Sequence, residues 1–173
     1  MDDETFWRII EDSMGSGSEA IKAKLCSLSR DDILEFHHTL TRMVAAACTF
    51  PLLAANFAIE SYVSDEGFRE FRAWLVSQGR GKYYSALKDP ESIADWLEKD
   101  AVDEIDGAAM LLSAEDAYTE KYGDMKVFET AASEPDPDII QDWPDDKKEY
   151  RKRWPKLVDK FWDADRINDM HSD

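Results

Sequence analysis

The run Leu52-Leu53-Ala54-Ala55-Asn56-Phe57-Ala58-Ile59-Glu60-Ser61-Tyr62-Val63 decides the fold class. Its apolar residues Leu52, Leu53, Phe57, Ile59 and Tyr62 fall on more than one face of a helix, and a helix apolar nearly all round is the buried centre of a domain. Pro51, just ahead of it, ends or kinks the helix before or sits in the first turn of this one. Toward the N-terminus, Ile33, Phe36, Leu40, Val44 and Ala47 recur at helical spacing behind Ser29 and Asp32, which read as a capping box. Further out, Asp2 or Asp3 caps a helix carrying Phe6, Ile9, Ile10 and Met14. Gly15-Ser16-Gly17-Ser18 breaks it, and Ile21, Leu25 and Leu28 form the face of the next.

Toward the C-terminus the same signals continue. Ser64-Asp65-Glu66 opens a helix with an aromatic stripe of Phe68, Phe71, Trp74 and Leu75, and Gly79 stops it. Residues 82–87 read as a short helix. Asp89-Pro90-Glu91 is an N-terminus signal for a helix facing inward through Ile93, Trp96 and Leu97. Val102, Ile105, Ala109 and Leu112 support one more, and residues 113–123 a last short one. Nowhere do four residues alternate as a strand; only Lys126 to Phe128 has a weak β-like composition.

Composition shifts at Met125. From there to Asp146 the chain holds Pro135, Pro137 and Pro144 among many acids, without periodicity, so an irregular wrap is expected, held to the body by Ile139, Ile140 and Trp143. A basic segment follows (Lys147, Lys148, Arg151, Lys152, Arg153, Lys156), then Leu157, Phe161 and Trp162 on a docking terminal helix. The expectation is an all-α, single-domain helical bundle: a helical core over 1–124, an acidic Pro-containing wrap over 125–146, and a basic segment with a short terminal helix over 147–173.

Composition agrees. At 173 residues, 43% hydrophobic and 12% aromatic, the chain is long and apolar enough to bury a core, unlike a disordered acidic tract. Asp and Glu number 38 against 21 Lys and Arg, a formal charge of -17. That balance disfavours nucleic-acid phosphates and anionic membranes, which are recognised through Lys and Arg, and favours a basic partner protein or simple solubility. The N-terminal stretch lacks the basic and apolar regions of a signal peptide, and the apolar run from Met43 to Ile59 is interrupted by Pro51 and Asn56, so a cytoplasmic protein is expected. Cys26 and Cys48 each lie on an apolar stripe and read as small buried hydrophobes.

Three stretches carry a resemblance. Phe6-Trp7 with Ile10, Phe71-Arg72-Ala73-Trp74-Leu75-Val76-Ser77-Gln78-Gly79, and Ala86-Leu87-Lys88-Asp89-Pro90-Glu91-Ser92 resemble the bacterial family called domain of unknown function 4240. Residues 118–123 and Arg153-Trp154-Pro155-Lys156-Leu157 look like later landmarks of that family. The resemblance implies a helical fold and brings no activity with it. The chain departs from the family pattern at Phe50, Leu53 and Ser61-Tyr62-Val63, where relatives tend to carry tryptophans and Gly-Gly-Cys.

Candidate chemistry is sparse. Glu35 and His38 stand at the i, i+3 spacing of di-iron helices, but that site needs a second such pair, and the remaining histidines are His37, on another face, and His171, in the tail. No metal or cofactor is expected, nor a catalytic nucleophile, since neither a Gly-x-Ser-x-Gly turn nor an electropositive cysteine setting is present. Gly79-Arg80-Gly81-Lys82 offers backbone amides and cations to an anion, so Arg72, Trp74, Arg80, Lys82 and Tyr84 form a candidate ligand pocket. Asp95, Glu98, Asp100, Asp103, Glu104 and Asp106, with neighbouring acids, form a candidate face for a basic protein. The leading expectation is a non-enzymatic binding or regulatory protein contacting a basic partner. The alternatives are a small-molecule binder or enzyme using the Arg72/Trp74/Arg80 region, and a nucleic-acid mimic. The basic segment near Arg151 is expected to fasten onto the acidic wrap or body rather than onto nucleic acid.

Overall fold

In a computed structural model describing residues 1–15, 18–123, 126–130 and 136–164, the chain is helical with no strand among those residues. The helices are α1 (Asp3–Ser13), α2 (Ser18–Cys26), α3 (Arg30–Ala46), α4 (Phe50–Glu60), α5 (Asp65–Ser77), α6 (Arg80–Lys88), two 3-10 helices (Pro90–Asp95 and Lys99–Glu104), α7 (Ala108–Tyr122), α8 (Lys126–Thr130), α9 (Lys147–Arg153) and α10 (Pro155–Phe161). Their starts follow local chemistry. Asp2 caps α1 by accepting from the Thr5 amide at 2.7 Å, Ser29 caps α3 through the Asp32 amide, and Ser64 caps α5 through the Gly67 amide. The Ser29 hydroxyl also donates to the Asp32 carboxylate at 2.6 Å, completing the expected Ser29–Asp32 pairing.

Pro51 sits in the first turn of α4, and the chain bends by 85° between α3 and α4. That bend drives α4 into the interior. Leu52, Leu53, Ala54, Ala55, Ala58 and Ile59 are buried, whereas Phe57 is only partly covered. Helices α3, α5 and α7 pack on one another, α2 lies along α7, and α1 crosses α2, α3 and α5. On the other side α4 meets α5, α10 and both 3-10 helices, and α9 packs on α10. One continuous hydrophobic core runs through both sides, from Phe6 and Trp7 to Leu157 and Phe161. No single helix among the described residues is long and apolar enough to cross a membrane.

Gly107 fixes the entry to α7. A Cβ there would lie 1.9 Å from the Glu70 carbonyl oxygen and 2.7 Å from the Trp74 amide nitrogen, so only glycine lets this loop press against the backbone of α5. Ser61 closes α4 at φ 64°, in the left-handed region that penalises a Cβ, and its buried hydroxyl has no hydrogen-bond partner. Ser61→Gly is expected to stabilise the chain by about 1 kcal/mol, relieving both features. Equilibrium urea unfolding checks this; an unchanged or lower midpoint contradicts it.

Several sequence expectations are corrected. Asp89 caps as expected, accepting from the Glu91 amide, but the segment it opens is a 3-10 helix ending at Asp95 rather than an α-helix. The C-terminal segment holds it there: the Lys156 amide and ammonium bind Glu91 and Asp95, and the Lys160 ammonium binds the Ala94 carbonyl. Residues 108–122 form one helix rather than two. Ser113, read as a start, instead donates its hydroxyl to the Met110 carbonyl at 2.8 Å within the helix. Leu112 is exposed, not inward. The 126–128 fragment belongs to helix α8, with Phe128 against Tyr118 and His37. In the wrap, residues 136–144 are irregular and Ile139 and Trp143 touch the body, but Ile140 is 91% exposed. Residues 16–17, 124–125, 131–135 and 165–173, with Pro135, His171 and parts of the expected break, wrap and tail, lie outside the described residues.

Candidate functional site

An aromatic groove forms where α4 meets the C-terminal segments. Phe57 comes from α4, Trp143 from the irregular strap, Tyr150 from α9, and Trp162 from the residue after α10. Trp143 and Trp162 both meet Phe57 near edge-on, at 5.7 and 5.9 Å between ring centroids with interplanar angles of 73° and 74°. Tyr150 completes the wall, 5.1 Å from Trp162 and 5.9 Å from Phe57. With Val63, Pro144 and Lys147 these rings line an open cavity of about 380 Å³, at the low end of ligand-sized pockets.

The groove is held rigid from behind. Tyr150 donates its hydroxyl to the Ala54 carbonyl of α4 at 2.6 Å, and burial pushes that phenol far above its ordinary pKa. Trp143 donates its indole N–H to Gln141 at 2.6 Å. Two carboxylates stand at the rim, Asp145 and Asp146, the latter also capping α9 through the Glu149 amide at 2.8 Å. Lys147 holds its ammonium 5.7 Å from the centre of the Trp162 ring, so the groove already engages one cation through a π face.

The acids of residues 91–98 are clasped in part by the chain's own basic segment. Lys156 binds both oxygens of Asp95 at 2.8 and 3.0 Å, and its pKa is raised by that hydrogen bond. Lys160 reaches Glu98 at 3.4 Å, and the Lys156 and Leu157 amides donate to Glu91. Arg153 joins Asp142 of the strap at 2.8 Å. The basic segment is thus a fastener, as its position after the acidic wrap suggested. Asp100, Asp103 and Glu104 are exposed on the second 3-10 helix, and Asp106 accepts from the Ala108 amide in the turn that leads into α7.

The second candidate site is not brought together. Arg72 is 1% exposed and bound in the interior, donating to the Val44 and Phe68 carbonyls and, bidentately at 2.7 and 2.6 Å, to Asp136. Trp74 stacks on Trp96 at 5.6 Å, with the Lys82 ammonium 4.3 Å from the Trp96 ring centre. Tyr84 packs on Trp7, and Arg80 is exposed at the start of α6. The spacing along α5 and α6 suggested a shared pocket; Trp74 and Lys82 do both meet Trp96, but Arg72, Arg80 and Tyr84 lie in other surroundings.

A second cleft of about 260 Å³ opens between α1, α2, α5 and α7, lined by Ile10, Met14, Ser77, Gln78, Asp106 and Met110 among others. On α3, His37 is partly buried with an unpartnered Nδ1, and it lines a small cavity of about 30 Å³ shared with Arg69 and Asp136, room for one or two waters. Burial first, then His38 and Arg69, lowers the His37 pKa. A histidine depressed in the folded state contributes stability that is present above its unfolded pKa, about 6.5, and lost as pH falls below it. His37→Phe is therefore expected to flatten the loss of stability between about pH 7 and pH 5; an unaltered pH profile in urea titrations contradicts this assignment. Among the described residues no three His, Cys, Asp or Glu are grouped to hold a metal, and Glu35 is engaged by the Met1 amino group.

Residues 1–120 match the family described as Protein of unknown function (DUF4240). The chain belongs to that family. No curated protein and no solved structure matches it. The match carries Phe57 and the acidic 3-10 helices, whereas Trp143, Tyr150 and Trp162 lie beyond it, as does the resemblance at 153–157. The groove therefore joins the family body to this chain's C-terminal segment.

Proposed function

We propose that this member of the family is a non-enzymatic binding protein whose partner is a basic protein. One observation carries the reading: an open aromatic groove with carboxylates at its rim, on a chain of formal charge -17. Aromatic faces attract cations, and an acidic surface raises the encounter rate with a basic partner. Asp100, Asp103 and Glu104 would steer the approach, and the groove would hold a basic side chain. The Tyr150 hydroxyl is committed to Ala54, which suits a surface that binds rather than one that moves a proton.

Titration of a lysine-rich peptide into the full chain, with association and dissociation rates measured at two salt concentrations, tests this. Reversing Asp100, Asp103 and Glu104 to Lys is expected to slow association by roughly tenfold at low salt, and Trp143→Ala to speed release. A peptide that binds no better than a glutamate-rich one, or variants without effect, sinks the proposal. A small-molecule binder is the second reading, favoured by the cleft where Ser77, Gln78 and Asp106 converge. A ligand whose thermal stabilisation of the chain disappears in Gln78→Ala would support it.

A further inference from the structure

We propose that the groove of Phe57, Trp143, Tyr150 and Trp162 selects a methylated ammonium, the trimethylated side chain of a lysine in the basic partner. The inference rests on the basic-partner reading and names the group that the groove takes. An ordinary lysine ammonium carries three N–H donors and loses free energy if buried without acceptors. The groove's only side-chain acceptors are the exposed carboxylates of Asp145 and Asp146. The rest of the lining is rings with Val63, Pro144 and Lys147, the Tyr150 oxygen is turned onto Ala54, and the Trp143 N–H is a donor already engaged by Gln141. Asp145 and Asp146 are exposed at the groove's edge, where they attract a cation at long range while most of the surface it would meet is aromatic. A trimethylammonium has no N–H to satisfy, keeps its charge, and presents methyl groups to the ring faces, which is the basis of aromatic-cage recognition.

Lys147 supplies a cation of the chain's own beside the groove. Its ammonium lies 5.7 Å from the Trp162 ring centre while its side chain stays exposed, so it stands at the edge of the groove. It also competes with, and repels, an incoming cation. A peptide rather than a free quaternary amine is the expected source, because the groove is open at the surface and the rim acids can also read basic residues flanking the modified lysine.

The test uses the full chain and three basic peptides identical except at one central residue: lysine, trimethyl-lysine, or its uncharged tert-butyl analogue. Calorimetric titration is expected to show the trimethylated peptide binding about tenfold more tightly than either of the others. Trp143→Ala should erase the preference while the far-UV helical signal stays unchanged, because Trp143 is 37% exposed and lies in the irregular strap outside the helices. Lys147→Met should strengthen binding of the trimethylated peptide. If the lysine peptide binds equally well, the inference is overturned while the basic-partner reading stands. Equal binding of the uncharged analogue overturns it in favour of an apolar groove. Choline or tetramethylammonium binding as tightly as the peptide overturns the peptide assignment, and no binding by any of the three peptides overturns both proposals.

Discussion

Gly107→Ala is expected to lower the melting temperature by about 10 °C or to prevent folding. The added methyl would sit 1.9 Å from the Glu70 carbonyl oxygen, and 2.7 Å from both the Glu70 carbonyl carbon and the Trp74 amide nitrogen. These are backbone atoms in the middle of α5, so no side-chain rotamer relieves the overlap. Either α5 or the 105–107 loop must move by more than an ångström, and α5 and α7 are in direct contact through the core. Overpacking of a rigid interior costs typically 1–3 kcal/mol and more where backbone is struck, so about 3 kcal/mol or more is expected here. For a chain of this size each kcal/mol shifts the midpoint by roughly 2–4 °C. Gly81→Ala is the control: no atom lies within 4 Å of its added Cβ, and it lies inside α6, where alanine is favoured by about 1 kcal/mol. A melting curve in which Gly107→Ala behaves like Gly81→Ala would overturn the close approach.

The pair of Arg72 and Asp136 is expected to respond asymmetrically to substitution. Asp136→Ala should cost about 2–3 kcal/mol, because the guanidinium, buried to 1% exposure, is left in the interior with only carbonyls as partners. That figure lies below the full range for a buried pair because the Asp136 side chain is 44% exposed and water screens it. Arg72→Met should cost less, about 1 kcal/mol, since it keeps an unbranched side chain in the core and returns Asp136 to solvent. The Arg72 hydrogen bonds hold the Asp136 carboxyl below its ordinary pKa. A carboxylate depressed by folding contributes stability present above its unfolded pKa, about 3.9, and lost as pH falls through the folded value. Acid sensitivity below about pH 4 should therefore weaken in Arg72→Met. Equal costs for the two substitutions in urea unfolding would contradict this account.

The helices were legible in the sequence where an apolar repeat coincided with a cap. Asp2, Ser29 and Ser64 each stand immediately before such a repeat, and each accepts the amide hydrogen bond expected of it. At two starts the reading failed. Asp89 and Pro90 mark a start, but the segment they open is tied by long-range contacts to the Lys156–Lys160 region and forms a 3-10 helix instead. Ser113 looked like a start because the alternative, a hydroxyl bonded back along its own helix, leaves no mark in sequence.

The groove was harder to see for a different reason. Trp143 and Trp162 each read as an anchor holding a segment to the body, and each packs on Phe57. Their convergence with Phe57 and Tyr150 depends on how the strap and α9 return to α4, a contact between residues almost a hundred positions apart, fixed by the Tyr150–Ala54 hydrogen bond. No local periodicity encodes that closure. Conversely, Arg72, Trp74, Arg80, Lys82 and Tyr84 are neighbours in sequence, but helical rotation and the Gly79 turn leave only Trp74 and Lys82 together, at Trp96, and send the others elsewhere. Proximity along the chain was the wrong guide in both cases.

The central claim, that the groove receives a cationic side chain, is tested most directly by following the indole N–H resonances of Trp143 and Trp162 as a lysine-rich peptide is added to the full chain. Both are expected to shift together and saturate, with Trp7 and Trp74 of the core unmoved. Shifts confined to the amides of residues 100–104, or none at either indole, would contradict it.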